Sequence, residues 1–193
     1  MGDLLGVVLC GGESRRMGSD KGLLRQGDYP WALVMGKKLE QQHLAVVYSI
    51  HPEQQAAYSA IIPPGLLVTD RARTGRLGPL EGLLSVHEKF PDRDLLLLAC
   101  DMPDMDALTL QQLIDSYAQF PSFDFYAYTE QTGDLGRIQP FCCIYTAQGI
   151  RAANPDGFAK DGYSKGLRSL LQKGNVQLLR IENEQAFKNY NHL

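Results

Sequence analysis

The side chains best suited to chemistry are concentrated near the amino terminus. Residues 7–10 (Val-Val-Leu-Cys) form a short apolar run, which leads into Gly11, Gly12, Ser14, Arg15, Arg16, Gly18 and Lys21. The glycines free the backbone for positive φ and for close approach to a ligand. Backbone N–H groups of such a loop can turn inward and form an anion-binding concavity, while Ser14, Arg15, Arg16 and Lys21 add donors and positive charge. That combination suits a phosphate. Two better-known phosphate loops do not match. A Walker A loop needs Gly-Lys-Ser/Thr, whereas Lys21 follows Asp20 and precedes Gly22. A dinucleotide fingerprint needs G-x-G-x-x-G, which Gly11-Gly12 followed by Gly18 does not supply. The bland alternative is a tight turn with solvated arginines, and the density of glycines and cations argues against it.

Two carboxylates follow apolar runs further along. Asp101 comes directly after residues 95–100, and Pro103 stiffens the chain behind it. A carboxylate so placed can hold Mg²⁺, an ion usually bound by one or two carboxylates together with substrate phosphates. Asp101 could instead cap the next helix, but Asp104 and Asp106 are better placed for that. Asp70 follows residues 66–69, where an Asp is equally common in a plain turn. The four histidines, His43, His51, His87 and His192, are scattered, and no Ser/His/Asp or Cys/His set is evident. Cys10, Cys100, Cys142 and Cys143 lie in apolar runs without C-x-x-C spacing and read as buried, reduced cysteines.

These residues need a scaffold, and the hydrophobic pattern supplies one. Helices are expected over 31–44, 53–61, 107–119, from Pro79, from Ala147 and from Ser164. Strands are expected over 7–10, 45–50, 66–69, 95–100, 123–129, 139–145 and 176–181. The continuous apolar run 95–100 is typical of a strand buried on both faces of a parallel sheet. The alternation predicts a three-layer α/β fold with a mostly parallel central sheet, formed by residues 1–193 as one domain. Ligands in such sheets bind beyond the carboxyl ends of the strands. Sequence position alone therefore puts the glycine loop, Asp70 and Asp101 on one rim.

Bulk composition is ordinary. The chain has 193 residues, 21% of them charged, and a formal net charge of −3, which argues against general binding to nucleic acid or a membrane surface. No basic region followed by an apolar run opens the sequence, and no apolar stretch approaches the ~20 residues of a membrane span, so a cytoplasmic protein is expected.

The ordered stretch Leu9-Cys10-Gly11-Gly12-x-Ser14-x-Arg16-Met17-Gly18-x-Asp20-Lys21 resembles the signature loop of the MobA-type nucleotidyltransferases, with the molybdenum cofactor guanylyltransferases the nearest match. The resemblance implies a Rossmann-like nucleotidyltransferase that uses Mg²⁺ and transfers GMP from GTP to the terminal phosphate of molybdopterin. Leu9, Cys10, Gly11, Gly12, Ser14, Arg15, Gly18 and Lys21 would hold the nucleotide, with Lys21, Asp101 and Arg16 closest to the chemistry. Asp101-x-Pro103 resembles the family's metal-binding D-x-P motif, and Asp70 matches a nucleotide contact. Gly78-Pro79-Leu80-x-Gly82 resembles a segment set against the base and ribose, although alone it reads as a turn before a helix.

Phe187-Lys188-Asn189-Tyr190-Asn191 resembles an F-x-N-x-N segment beside the metal, which makes Asn189 and Asn191 further ligand candidates; a polar tail is the other reading. The C-terminal half would bind the acceptor, with Lys160, Lys165 and Arg168 as an anion patch or simply a solvated basic face. Arg137 and Gln139 are also candidates to face the site. A molybdenum insertion protein and apo-molybdoenzymes are partners by analogy. Two departures stand out. The family's Gly-Lys-Pro is replaced by Gly27-Asp28-Tyr29-Pro30, and no Thr-Pro follows Asn191. Cytidylyl relatives begin A-A-G where this chain has Cys10-Gly11-Gly12. A cytidylyl- or sugar-phosphate nucleotidyltransferase, or a nucleotide-binding regulator without activity, are the alternatives.

Overall fold

The computed structural model describes residues 3–11, 20–71, 78–130, 137–153 and 166–190. The apolar run at the amino terminus becomes β1 (Leu4–Leu9). A small hairpin, β2 (Arg25–Gln26) and β3 (Tyr29–Pro30), occupies the stretch that departs from the family pattern, with Gly27 at φ 60° in its turn. Then come α1 (Trp31–Glu40), β4 (Ala45–Ile50), α2 (Gln55–Ser59), β5 (Leu67–Thr69), α3 (Pro79–Lys89), β6 (Asp94–Ala99) and α4 (Ala107–Gln119). The chain continues through β7 (Phe125–Thr129), β8 (Ile138–Tyr145), α5 (Ala147–Ala152), α6 (Leu167–Leu171) and β9 (Val176–Arg180).

Seven strands form one sheet in the order β5-β4-β1-β6-β8-β7-β9. All run parallel except β8, which is antiparallel to both β6 and β7. The reason is local. Residues 130–137 are too few for the crossover that a parallel partner requires, so β7 and β8 join as a hairpin.

Strand alternation divides the core in two. Val8, Cys10, Leu96, Leu98, Tyr126, Tyr128, Cys142 and Ile144 face one side, against Met35 and Leu39 of α1, Tyr58 of α2, and Leu110 and Leu113 of α4. Leu5, Val7, Leu9, Leu95, Leu97, Phe125, Cys143 and Tyr145 face the other, against α3, α5 and α6. This period-2 switch gives the expected three layers. Leu95 to Leu98 are fully buried, each contributing about 1.5–3 kcal/mol by transfer from water. All four cysteines are free and buried, as expected.

Element boundaries differ from the sequence pattern in instructive places. The helix expected over 31–44 ends at Glu40, because His43 adopts φ 60° to turn the chain into β4. The helix expected over 53–61 is a 3-10 turn, Pro52–Gln54, followed by α2. The strand expected over 95–100 starts one residue earlier, at Asp94. This buried carboxylate accepts from the Tyr117 hydroxyl at 2.6 Å and from the Ala147 N–H at 2.8 Å, so it ties β6 to α4 and caps the start of α5. The helix expected from Ser164 is described from Leu167. Among the described residues, no helix is long and apolar enough to cross a membrane.

Candidate functional site at the strand ends

The carboxyl ends of β1, β4, β5 and β6 lie side by side. The N–H groups of Cys10 and Gly11 both donate to the Ser49 carbonyl, at 2.9 and 3.2 Å, which holds the start of the glycine loop on β4. The Ser49 hydroxyl donates to Asp70 Oδ1 at 2.8 Å. Glycine is needed on both sides of this carboxylate. A Cβ at Gly11 would stand 2.9 Å from Asp70 Oδ2, and one at Gly82 would stand 2.5 Å from both Leu9 Cδ1 and Ser49 Oγ. The structure thus brings Leu9, Cys10, Gly11, Asp70 and Gly82 into one cluster. The side chains of Leu9, Cys10 and Leu80 are buried in the core, which leaves only their backbones for a ligand. Gly78 precedes α3 at φ 54° and ψ −132°, and Pro79 takes the first helical position. Gly12, Ser14, Arg15, Arg16 and Gly18 lie outside the described residues.

Lys21 reaches Asp101 across the rim, with Nζ donating to Oδ2 at 2.9 Å and each side chain 17% exposed. Lys21 opens a 3-10 turn, Lys21–Leu23, whose N-cap is Asp20. Asp101 stands in the turn after β6. Lys38 of α1 donates to the Pro103 and Met105 carbonyls, at 2.8 and 2.6 Å, and fixes that turn from behind. Burial lowers the Lys38 pKa, while nearby Asp104 and Asp106 oppose the shift. Met102 and Met105 are buried below. Asp101 is therefore held at the rim by its neighbours' backbone and by core packing, and its carboxylate is presented to a cation.

The C-terminal segment closes the same corner. Phe187 packs edge-on against Tyr128 at 5.0 Å, and the Tyr190 N–H donates to the Asp101 carbonyl at 3.1 Å. Tyr190 also lies edge-on to Trp31, at 6.1 Å, and its hydroxyl donates to Asp104 Oδ2 at 2.6 Å. Gln185 donates to Asp104, and Asn183 donates to Asp106 at 2.7 Å. Asn189 is exposed and directly precedes Tyr190, and Asn191 lies outside the described residues.

Asp104 and Asp106 both have lowered pKa values. For Asp104 the Tyr190 hydroxyl is the main cause; for Asp106 burial opposes the shift and is outweighed by bonds from Thr109 and Asn183. A depressed folded-state pKa gives stability that is full above the unfolded value and lost as pH falls through the folded one. Acidification below about pH 4 is therefore expected to release this segment. Fluorescence of Trp31, the single tryptophan, should then change before the helical circular-dichroism signal is lost. Coincident transitions would contradict the expectation.

The remaining candidates are more dispersed. Arg137 lies 3.5 Å from Glu130, and Gln139 donates to the same carboxylate at 3.2 Å, so both engage Glu130 at the β7–β8 connection. Arg168 is exposed in α6. Lys160 and Lys165 lie outside the described residues.

A nucleotidyltransferase domain model, described as the MobA-like NTP transferase domain, matches residues 6–178. The chain belongs to the MobA-like NTP transferase family. Over 191 residues it is 28% identical to a molybdenum cofactor biosynthesis bifunctional protein of Synechocystis sp., covering 97% of this chain and 51% of that protein. Over 105 residues it is 34% identical to a probable molybdenum cofactor guanylyltransferase of Synechococcus elongatus, covering 54% of each. The match thus spans about half the length of each of these relatives. The crystal structure of a molybdopterin-guanine dinucleotide biosynthesis protein A from Archaeoglobus fulgidus shares the fold, with TM-score 0.72 and 17% identity over 96% of this chain and 91% of that one.

The family's metal chemistry can be tested against the residues present. Among the described residues no group of three or more His, Cys, Asp or Glu side chains is placed to hold a metal unaided. Magnesium does not require one, since one carboxylate, waters and substrate phosphates suffice. Asp101 fits that demand, being a hard oxygen donor that already faces the Lys21 ammonium.

Sequence reasoning missed Ser49 and Lys38. Ser49 was detectable as the polar residue near the end of an otherwise apolar strand. Lys38 reaches its partners across a long stretch of chain and leaves no local signature.

Proposed function

We propose that the protein transfers GMP from GTP to the terminal phosphate of a molybdopterin-type acceptor and releases pyrophosphate. The observation that carries this reading is the Lys21–Asp101 pair at the carboxyl rim of a MobA-like sheet, 2.9 Å apart. Lys21 and the glycine loop hold the β- and γ-phosphates. Gly78 to Gly82 and the backbone of Leu9 to Gly11 flank the base and ribose, and Asp70 takes a nucleotide hydroxyl. Asp101 would hold Mg²⁺, with Asn189 next to it; when bound, the ion neutralises phosphate charge between donor and acceptor.

An oxygen of the acceptor phosphate attacks the α-phosphorus in line. The bond from that phosphorus to the bridging oxygen of pyrophosphate breaks, and the electron pair leaves with pyrophosphate. A phosphate monoester is largely dianionic near neutral pH, so no side-chain base is required. The protein's work is positioning and charge neutralisation. The acceptor binds in the C-terminal half, where Arg168, with Lys160 and Lys165, contributes positive charge. On this reading the acceptor comes from a molybdenum insertion protein, and the product passes to apo-molybdoenzymes.

Thermal unfolding with GTP, CTP, ATP and UTP, each with and without Mg²⁺, tests the donor. A ligand of the folded state stabilises by RT ln(1 + [L]/Kd), about 2.7 kcal/mol at a hundredfold excess. GTP with Mg²⁺ is expected to raise the midpoint more than the other three. A larger rise with CTP would transfer the reading to cytidylyl chemistry.

A further inference from the structure

The residue before Lys21, Asp20, has both carboxylate oxygens engaged by donors. The Asp20 carboxylate accepts from the Gly22 N–H at 3.0 Å, the Tyr58 hydroxyl at 2.9 Å and Gln54 Nε2 at 2.6 Å. The same Gln54 Nε2 donates to the Cys10 carbonyl at 3.2 Å, and Gln54 Oε1 accepts from the His51 N–H at 2.6 Å. One amide group thus touches both Cys10, where β1 ends, and Asp20, where the chain returns to the rim. Tyr58 is fully buried, and burial pushes its hydroxyl pKa up, so it stays protonated and donates. Gly22 makes room for it, since a Cβ there would stand 2.1 Å from the Tyr58 oxygen. Leu23 N–H to Asp20 O, at 3.1 Å, and Leu24 N–H to Lys21 O, at 3.0 Å, complete the turn that carries Lys21.

We propose that Gln54 and Tyr58 are positioning residues for the transfer reaction, clamping Asp20 so that the backbone of Lys21 is fixed opposite Asp101. This rests on the reading that Lys21 contacts nucleotide phosphate. A lysine carries a flexible four-carbon stem, so its reach is determined by where its backbone stands. A displacement of about 1 Å at a charge-stabilising group can cost about a hundredfold in rate. The Asp20 carboxylate is engaged by donors on both oxygens, which suits a structural pivot rather than a metal ligand.

The test is a double-mutant cycle between Gln54→Met and Lys21→Ala. It is read in kcat/KM for GMP transfer and, separately, in the Kd for magnesium pyrophosphate. Gln54→Met keeps side-chain length and removes all three side-chain hydrogen bonds, to Asp20, to Cys10 and from His51. In the parent protein it is expected to cost about tenfold in both readouts, and in the Lys21→Ala background less than about twofold, because the residue acts through the lysine. Tyr58→Phe, which keeps the ring in the core, should show the same dependence at about threefold and stands in if Gln54→Met does not fold. Equal losses in both backgrounds would overturn the clamp. Coupling that persists in pyrophosphate affinity while the parent fails to use GTP would support the clamp and overturn the guanylyl reading.

Discussion

Asp101→Ala is expected to lower GMP transfer by about a thousandfold at saturating Mg²⁺ while the protein stays folded. The size follows from the several kcal/mol a metal contributes to a charged transition state, at 1.36 kcal/mol per tenfold. The fold should survive because the turn is held by other groups. Lys38 bonds the Pro103 and Met105 carbonyls, the two methionines are buried, and Tyr190 bonds the Asp101 backbone carbonyl rather than its side chain. The carboxylate is partly exposed at the rim, where its pair with Lys21 is screened by solvent, and that limits the stability cost. Steady-state turnover with matched circular-dichroism melts checks both halves. Asp101→Asn, which preserves shape and removes charge, should fall nearly as far. Rates near those of the parent would exclude Asp101 from metal binding.

Lys21→Ala is expected to reduce kcat/KM for GTP by about a hundred- to a thousandfold, the range found when one preorganised charge-stabilising donor is removed. The same substitution should have an opposite effect without nucleotide. Lys21 Nζ sits on Asp101 Oδ2 at 2.9 Å, in the place where a metal cation would be drawn. Removing the ammonium should therefore tighten Mg²⁺ binding to the free protein, by about threefold for a partly exposed pair. Isothermal titration with Mg²⁺ alone, beside turnover with GTP, reads the two effects. Lys21→Arg should not restore turnover, because a forked guanidinium does not replace a compact ammonium at this spacing. Unchanged turnover would remove Lys21 from the phosphate site, and weaker Mg²⁺ binding would contradict its competition with the metal.

The position of Asp101 at the sheet rim was legible because it follows an apolar run directly, whereas most of the glycine loop lies outside the described residues. The sheet was legible from alternation, and its antiparallel strand follows from the short link between Thr129 and Ile138. The length of α1 was not legible. Apolar spacing continues to Leu44, but the chain must turn at His43 to bring Ala45 into register with Leu5. Nor were the contacts that position the site. Tyr190 meets Asp104 and Asp101 from the far end of the chain, Lys38 reaches the turn after β6, and Gln54 bridges β1 and Asp20. Such bonds depend on three-dimensional proximity alone and carry no spacing rule. Trp31 is buried and lies edge-on to Tyr190, a contact between the start of α1 and the far end of the chain.

The most direct measurement is product formation by the purified protein with Mg²⁺, a molybdopterin-type acceptor and GTP or CTP in parallel. Pyrophosphate release with GTP, matched one to one by guanine dinucleotide and requiring both acceptor and Mg²⁺, is the expected result. Nucleotide binding without pyrophosphate release, or release that favours CTP over GTP, would contradict guanylyl transfer.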